Sequence, residues 1–301
     1  MISICIPIYN FDVRQLVVGL HAQALELNAG IEILLFDDCS NNHFKEKNRE
    51  LTSLYLVSYL ELSENIGRSR IRNAMAKEAR HQHVVFMDCD SQLTDNLFLK
   101  RYIEHLPLNE VICGGRIYQD DLPENTFKLH WWYGKNRETI PVRKRVCNPY
   151  RSFMTNNFMA PKSVMLKIPF NELLTGYGHE DTLFGYELMR NNIAIKHIDN
   201  PLLHIGLQTN LEFLAKTREG VKNLATINKI VKSDSDFARM SKLLVIYNIL
   251  SLLGLRNMGA TLFRMVKKNL ENNLLGQSPN LFLFDLYKLG FLLQEFHSEQ
   301  N

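Results

Sequence analysis

The chain has 301 residues, enough for one large core or for a domain plus an appendage. Its 46% hydrophobic and 22% charged residues are those expected of a soluble globular protein, and a net charge of only +3 gives no electrostatic case for nucleic acid as a partner. The charge is uneven: residues 211–301 hold 12 Lys+Arg against 8 Asp+Glu, a balance of +4, which leaves the first 210 residues at −1. Five cysteines (Cys5, Cys39, Cys89, Cys113, Cys147), odd in number and without a Cys-x-x-Cys, point to a reducing compartment and away from zinc. The start of the chain lacks a basic segment and its apolar run is broken by Pro7, so no secretory leader is expected. No apolar stretch approaches the ~20 residues of a spanning helix. A cytoplasmic location follows as the expectation, with attachment to the inner face of a membrane left open.

Residues 2–6 alternate β-branched and small side chains and read as a first strand ending in Pro7-Ile8-Tyr9-Asn10. Apolar residues at helical spacing over 12–27 predict a helix stopped by Gly30, and 31–36 a second strand running into Asp37-Asp38-Cys39-Ser40. A weaker strand is expected over 54–60, then Asn65-Ile66-Gly67, a helix over about 69–80, and a strand from Val84. Strands alternating with helices of this length predict an α/β fold with a mostly parallel sheet. Thr94 or Asp95 should cap a helix through Leu106 that Pro107 ends, and 111–118 reads as a strand with Gly114-Gly115 inside it. No clean period runs through 119–149, which holds Trp131 and Trp132; they suit an acceptor-binding loop and the plugged edge of a core equally well. A short strand at 156–160, a helix from Glu180 to Arg190 after a glycine-rich turn, and a strand over 193–198 complete a first region, 1–210. Beyond it, 211–232 and 236–270 read as helices of a C-terminal helical region, 211–301. The nearly all-apolar run 243–255 would reach only ~20 Å, too short to cross a bilayer; it fits a buried bundle helix or one lying in a membrane interface.

The stretch Val84-Val85-Phe86-Met87-Asp88-Cys89-Asp90 organises the rest. A buried strand stops on two carboxylates one residue apart, and in open α/β sheets ligands bind beyond the strands' carboxyl ends. Such a pair is neutralised by a divalent cation that also holds a diphosphate, since hard oxygens suit Mg²⁺ or Mn²⁺. Alone, so short a motif is more commonly a solvated turn. Glu180-Asp181 alone reads as acids complementing a helix dipole, and His204 alone as a satisfied core histidine.

The motifs are informative in their order: Pro-Ile-Tyr-Asn, then Asp-Asp-Cys-Ser, Asn-Ile-Gly-Arg-Ser-Arg-Ile-Arg-Asn, Asp-Cys-Asp, Gly-His-Glu-Asp, and a late His. Over about residues 1–206 the sequence resembles the family 2 glycosyltransferases, inverting enzymes with the GT-A nucleotide-diphospho-sugar transferase fold. The resemblance implies a Rossmann-like, mixed but mostly parallel sheet flanked by helices. It implies that Pro7, Tyr9 and Asn10 line the base pocket, that Asp38 accepts the uracil N3–H, and that Asn65 and Gly67 line the nucleotide cleft. Arg72 would lie near the base or diphosphate and Asp88 would face ribose and metal. Asp90 and His204 would complete the metal ligands for Mn²⁺ or Mg²⁺. Asp181 matches the general base, with Glu180 as an acceptor contact or the base itself. Expected partners are a nucleotide sugar, UDP-linked, and a saccharide or lipid-linked saccharide acceptor. A homodimer and a peripheral membrane contact through 236–301 are further expectations. The absence of Gln-x-x-Arg-Trp suggests non-processive transfer. A sugar-1-phosphate nucleotidyltransferase would want a glycine-rich basic loop where Ile8-Tyr9-Asn10 stands, and a degenerate binding protein would be expected to have lost Asp90 or Asp181.

Overall fold

The structure of the protein, a computed structural model, describes residues 1–27, 29–174 and 176–298. Strands β1 (Ile2–Ile8), β2 (Ile31–Asp37), β3 (Val57–Glu61) and β4 (His83–Met87) alternate with helices α1 (Arg14–Leu27), α2 (Asn42–Arg49) and α3 (Arg68–Glu78). Next come β5 (Ser91–Gln92), α4 (Phe98–Ile103), β6 (Val111–Cys113), β7 (Arg116–Ile117), α5 (Lys128–Tyr133), a π-helical turn at Gly134–Glu138, and α6 (Val142–Arg145). They are followed by β8 (Asn157–Pro161), α7 (Lys162–Lys167), α8 (Glu180–Arg190), β9 (Ile195–His197) and β10 (Leu202–His204). Five helices close the described chain: α9 (Asn210–Ile230), α10 (Ser235–Met240), α11 (Lys242–Leu252), α12 (Arg256–Leu274) and α13 (Leu281–Ser298).

The chain packs into two compact units. The first comprises 1–119, 139–175 and 187–206. It holds a seven-stranded sheet of order β3-β2-β1-β4-β8-β6-β9 and a three-stranded one of order β5-β10-β7. β3, β2, β1 and β4 run parallel, β8 lies antiparallel between β4 and β6, and β9 runs parallel to β6. β1 and β2 are buried nearly throughout, as in a sheet covered on both faces. Ile2, Ile4, Ile6 and Ile8 of β1 meet Leu16, Val17 and Leu20 of α1 and Phe98 of α4 in one core cluster.

The second unit comprises 120–138, 176–186 and 207–301, so α5 and the start of α8 belong to it together with the C-terminal helices. Its core gathers Leu129 of α5, Phe213 and Leu214 of α9, Phe263 and Leu270 of α12, and Phe284 and Tyr287 of α13. Among the described residues no single helix is long and apolar enough to cross a membrane; α11 and α12 meet that test only as a pair, bent by 119°.

Several elements depart from their sequence pattern, each for a visible reason. The strand expected over 111–118 is two strands in two sheets. A Cβ at Gly114 would come 2.5 Å from the Asn157 amide and 2.5 Å from the Asn200 carbonyl, and Gly115 turns at φ +98°. The strand expected from 54 begins at Val57, because Leu56 sits at φ +75°. The helix expected over 94–106 covers only Phe98–Ile103, since Asp95 turns back to accept from the Leu97 N–H (2.8 Å) and to pair with Arg101. α2 has no apolar stripe; it docks through Asn48, whose amide accepts from Val13 N–H (3.0 Å) and donates to the Phe11 carbonyl (2.8 Å). The helix expected over 236–270 breaks at extended Ser241, which caps α11, and again at Gly254, φ +70°.

Candidate active site

β1, β2 and β4 run parallel, so the segments that follow them emerge at one edge of the sheet. After β2, Asp38 is buried, and its two carboxylate oxygens accept the backbone N–H groups of Ile66 (2.7 Å) and Gly67 (3.0 Å). Burial pushes the Asp38 carboxyl up from its ordinary value while these two donors oppose it. Asn65 adds a bond from its amide to the Asp38 carbonyl (3.1 Å), so Asp38 holds the whole Asn65–Gly67 turn. Gly67 has φ +82° and open space where a Cβ would lie, so the backbone conformation, not crowding, calls for glycine.

Asn10, at φ +50°, clips the turn after β1 to the one after β2. Its N–H donates to Ser40 Oγ (2.8 Å) and its Oδ1 accepts from Asn41 N–H (2.9 Å). Pro7 lies within β1, paired in register with Phe36. Tyr9 is 54% exposed at the same strand end.

After β4, Asp88 is held by two guanidinium groups. Arg72 Nη2 donates to its Oδ1 (2.9 Å) and Arg116 Nη2 to its Oδ2 (3.0 Å). Arg72 is only 2% exposed and its guanidinium lies over the Phe170 ring at 5.7 Å, behind the carboxylate it supports. Arg116 escaped the sequence reading, which had no pattern to connect a residue of β7 with Asp88.

Asp90 stands differently. Its Oδ1 is buried and is met, at 3.4 Å, by His204 Nδ1. β10 pairs with β5 so that His204 faces Ser91, and Ile205 N–H donates to the Asp90 carbonyl (2.9 Å), which fixes the two side chains side by side. Tyr118 packs on the His204 ring at 5.1 Å. A Cβ at Gly206 would meet Asp90 Oδ2 at 2.5 Å, so only glycine leaves this carboxylate its position. Burial alone would raise the Asp90 carboxyl; the field of His204, Arg116 and Arg68 outweighs it and holds the group well below the usual carboxylate range. Among the described residues no three His, Cys, Asp or Glu side chains form a ready-made metal cage. A buried carboxylate oxygen with only a long contact to an imidazole nitrogen nevertheless fits Mg²⁺ or Mn²⁺, which take one or two protein ligands and complete their shell with water and phosphate oxygens.

Beside Asp88, Asn156 accepts the Asp88 N–H on its carbonyl (3.1 Å). Its side-chain amide is buried, and neither the nitrogen nor the oxygen finds a partner among the described residues. The polar pair Asn156-Asn157 opening an apolar strand is the sequence signal that could have drawn attention to it.

In the second unit, Glu180 and Asp181 open α8. The turn before them is held by α9. Gly178, at φ +98°, lies where a Cβ would meet Gly220 Cα at 3.0 Å, and Asn223 donates to the carbonyls of Tyr177 and Gly178, both at 3.2 Å. His179, at φ +67°, accepts the Leu183 N–H on its carbonyl (3.0 Å) and sets its Nδ1 3.1 Å from Thr182 Oγ1. Burial pushes the His179 imidazole down to about 4, so it is neutral at pH 7. Glu180 is buried and Asp181 partly so. Burial, then the neighbouring Glu180 charge and that of Glu138, push the Asp181 carboxyl up to about 7, against hydrogen bonds from Thr182 N–H (2.7 Å) and Oγ1 (3.3 Å).

Asp38 is thus joined to Asn65 and Gly67, Asp88 to Arg72, Asp90 to His204, and Asp181 to Glu180 by chain adjacency; Pro7 near the end of β1 and Tyr9 and Asn10 just beyond it stay together.

The family model for "Glycosyl transferase family 2" matches residues 3–173. The chondroitin synthase of Escherichia coli is 24% identical over a match covering 67% of this chain and 34% of that protein, so the chain spans about a third of the curated relative's length. Among solved structures, the mannosyltransferase PcManGT from Pyrobaculum calidifontis, in complex with GDP-Man and Mn²⁺, has a TM-score of 0.61 at 10% identity, over 99% of this chain and 86% of that one. S. aureus TarS in complex with UDP-GlcNAc has a TM-score of 0.52 at 15% identity, over 99% and 91%. Glucosyl-3-phosphoglycerate synthase from Mycobacterium tuberculosis, with Mn²⁺, UDP and glucosyl-3-phosphoglycerate, has a TM-score of 0.52 at 15% identity, over 76% and 79%. At such identities these likenesses establish the fold.

Proposed function

The chain belongs to glycosyl transferase family 2 and is a nucleotide-sugar transferase; from that premise we propose that it is a metal-dependent, inverting, non-processive transferase. Its donor is a UDP-linked sugar and its acceptor a saccharide or lipid-linked saccharide. The observation that carries this reading is the buried Asp90 oxygen, met among the described residues only by His204 at 3.4 Å just past the end of β4, a pair suited to a cation that a diphosphate also grips. When bound, Mn²⁺ or Mg²⁺ supplies Lewis-acid stabilisation of the charge that develops on the departing diphosphate.

The protein's own residues do the rest. Tyr9 offers its ring to the base, while Asp38 and Asn10 hold the turns around it. Arg72 and Arg116 fix Asp88 toward the ribose side. Arg116 and Arg68, whose charges reach Asp90, also counter the charge of the diphosphate. Asp181 takes the proton of the acceptor hydroxyl as its oxygen bonds to the anomeric carbon from the face opposite the leaving group. The carbon–oxygen bond to the diphosphate breaks in the same displacement, and the nucleotide diphosphate leaves. A base whose pKa lies near the working pH transfers protons most effectively, and the raised Asp181 carboxyl supports that assignment.

Two variants test the division of labour. Asp90→Ala is expected to abolish Mn²⁺-dependent UDP binding in calorimetry while the melting temperature holds. Asp181→Asn is expected to keep that binding and lose transfer by about 10²–10⁴. Full transfer by Asp181→Asn together with loss in Glu180→Gln would move the base to Glu180. Metal-dependent UDP affinity unchanged in Asp90→Ala would remove Asp90 from the metal.

A further inference from the structure

The second unit leaves an apolar surface uncovered. α11 is apolar around most of its circumference, yet only Leu244 and Tyr247 are buried. Val245, Ile246, Ile249, Leu252 and Leu253 face outward, Leu252 at 89% exposure. In α12 the exposed large apolar residues are Met258, Leu262 and Met265. Positions 245, 249 and 252, and again 258, 262 and 265, fall at i, i+4 and i+7, so each helix carries a continuous outward stripe. Contiguous apolar surface of this kind marks an interaction site.

The charges around it have one sign. From Lys242 to Leu270, α11 and α12 carry five basic residues (Lys242, Arg256, Arg264, Lys267, Lys268) and no acidic one, while Arg239 just before them is paired with Asp236 (3.1 Å). Lys242 stands one turn before Val245 and Ile246, and Lys268 one turn after Met265. Each stripe therefore ends in an exposed lysine, on the side away from the bend at Gly254. The helices turn on each other by 119°, and the bend carries Leu252 and Leu253.

We propose that α11 and α12 form a wedge that docks on an anionic lipid surface, the apolar stripes entering the headgroup–acyl boundary and the lysines resting on lipid phosphates. An 11-residue helix is about 16 Å long, half the ~30 Å hydrocarbon core, so α11 lies in the interface and does not cross it. Charge decides between lipid and a second copy of the chain. A copy presenting the same patch would set five more cations against these five with no acid between them, whereas an anionic leaflet attracts every one.

Co-sedimentation of the full chain with vesicles tests this. Binding is expected to phosphatidylcholine–phosphatidylglycerol vesicles and not to phosphatidylcholine alone. It should be lost near 0.5 M salt, where the Debye length falls to roughly 4 Å. Lys242→Glu/Lys268→Glu should lower partitioning at least tenfold, since each basic residue removed near such a surface weakens binding about fivefold. Ile249→Asp/Leu252→Asp should lower it as far. All four positions are exposed, so unchanged melting curves verify the fold. The proposal is overturned if wild type ignores anionic vesicles, or if the double-lysine variant binds them as wild type does. It is equally overturned if wild type is a dimer in ultracentrifugation that Ile249→Asp/Leu252→Asp dissolves while neither protein binds vesicles; the stripe is then a self-contact.

Discussion

Asp181 titrates near 7 in the folded chain, against an ordinary value of 3.8. Between those limits the folded state keeps a proton that the unfolded chain has released, so its contribution to stability falls as pH rises from about 4 to about 7 and is flat above. Asp181→Asn removes that penalty. The variant should melt above wild type at pH 8, by a few degrees or on the order of 1–2 kcal/mol, and level with it at pH 4. The transfer rate of the wild type should rise through pH 7 as the base ionises. Matched melting curves at pH 4 and 8 and a pH–rate profile check both, and a Tm gap that does not change with pH would disconnect the carboxyl from burial. Arg72 offers a second test at this scale. Arg72→Met keeps the contact with Phe170 but leaves Asp88 only Arg116, and losing one of two charge-assisted hydrogen bonds to a partly buried carboxylate costs about 1.5–3 kcal/mol. Arg72→Met/Asp88→Asn should recover part of that loss in urea denaturation, because the half-paired charge is gone.

Among the elements, the strongest single constraint in the C-terminal helices is Gly290 of α13, where a Cβ would lie inside the buried ring of Phe263 in α12. Alanine is the better helix former by about 1 kcal/mol, but displacing a packed aromatic costs more, typically 1–3 kcal/mol or above. Gly290→Ala should therefore lower stability by roughly 2 kcal/mol, readable as a shift in the urea midpoint; a stabilised variant would mean that Phe263 moves freely. Gly290 also illustrates what sequence pattern conveys. The parallel strands were legible because Ile2–Ile8 and Ile31–Asp37 are buried on both faces and so nearly uniformly apolar. α8 was legible because two acids follow a glycine-rich turn. α2 was not, since a polar Asn48 docks it, and neither was the split at Gly114, which depends on Asn157 and Asn200 arriving from far along the chain. In the site, Asp90 and His204 could be named from motif order, but their 3.4 Å approach comes from the β5–β10 pairing; Arg116 carries no local signal, and Asn156 only that of a polar pair opening an apolar strand.

At the scale of the molecule, the second unit is assembled from three stretches, and Leu129 and Tyr133 of α5 belong to its core with α9, α12 and α13. A chain cut after Asn210 would leave those side chains in water. It should be recovered as aggregate or bind a hydrophobic dye strongly; a soluble, cooperatively melting 1–210 would show that α5 needs no helical partner. The antiparallel insertion of β8 has a different consequence, one of timing. Four strands, β3-β2-β1-β4, are complete once Met87 has been made, but the partner of β4's other edge begins at Asn157. At 5–20 residues per second those 70 residues take roughly 4–14 s on the ribosome. Throughout that interval the nascent chain carries an open, parallel, fully apolar strand edge, Val84-Val85-Phe86, of the sort that recruits other chains. During translation, then, one strand edge needs shielding until its late neighbour arrives.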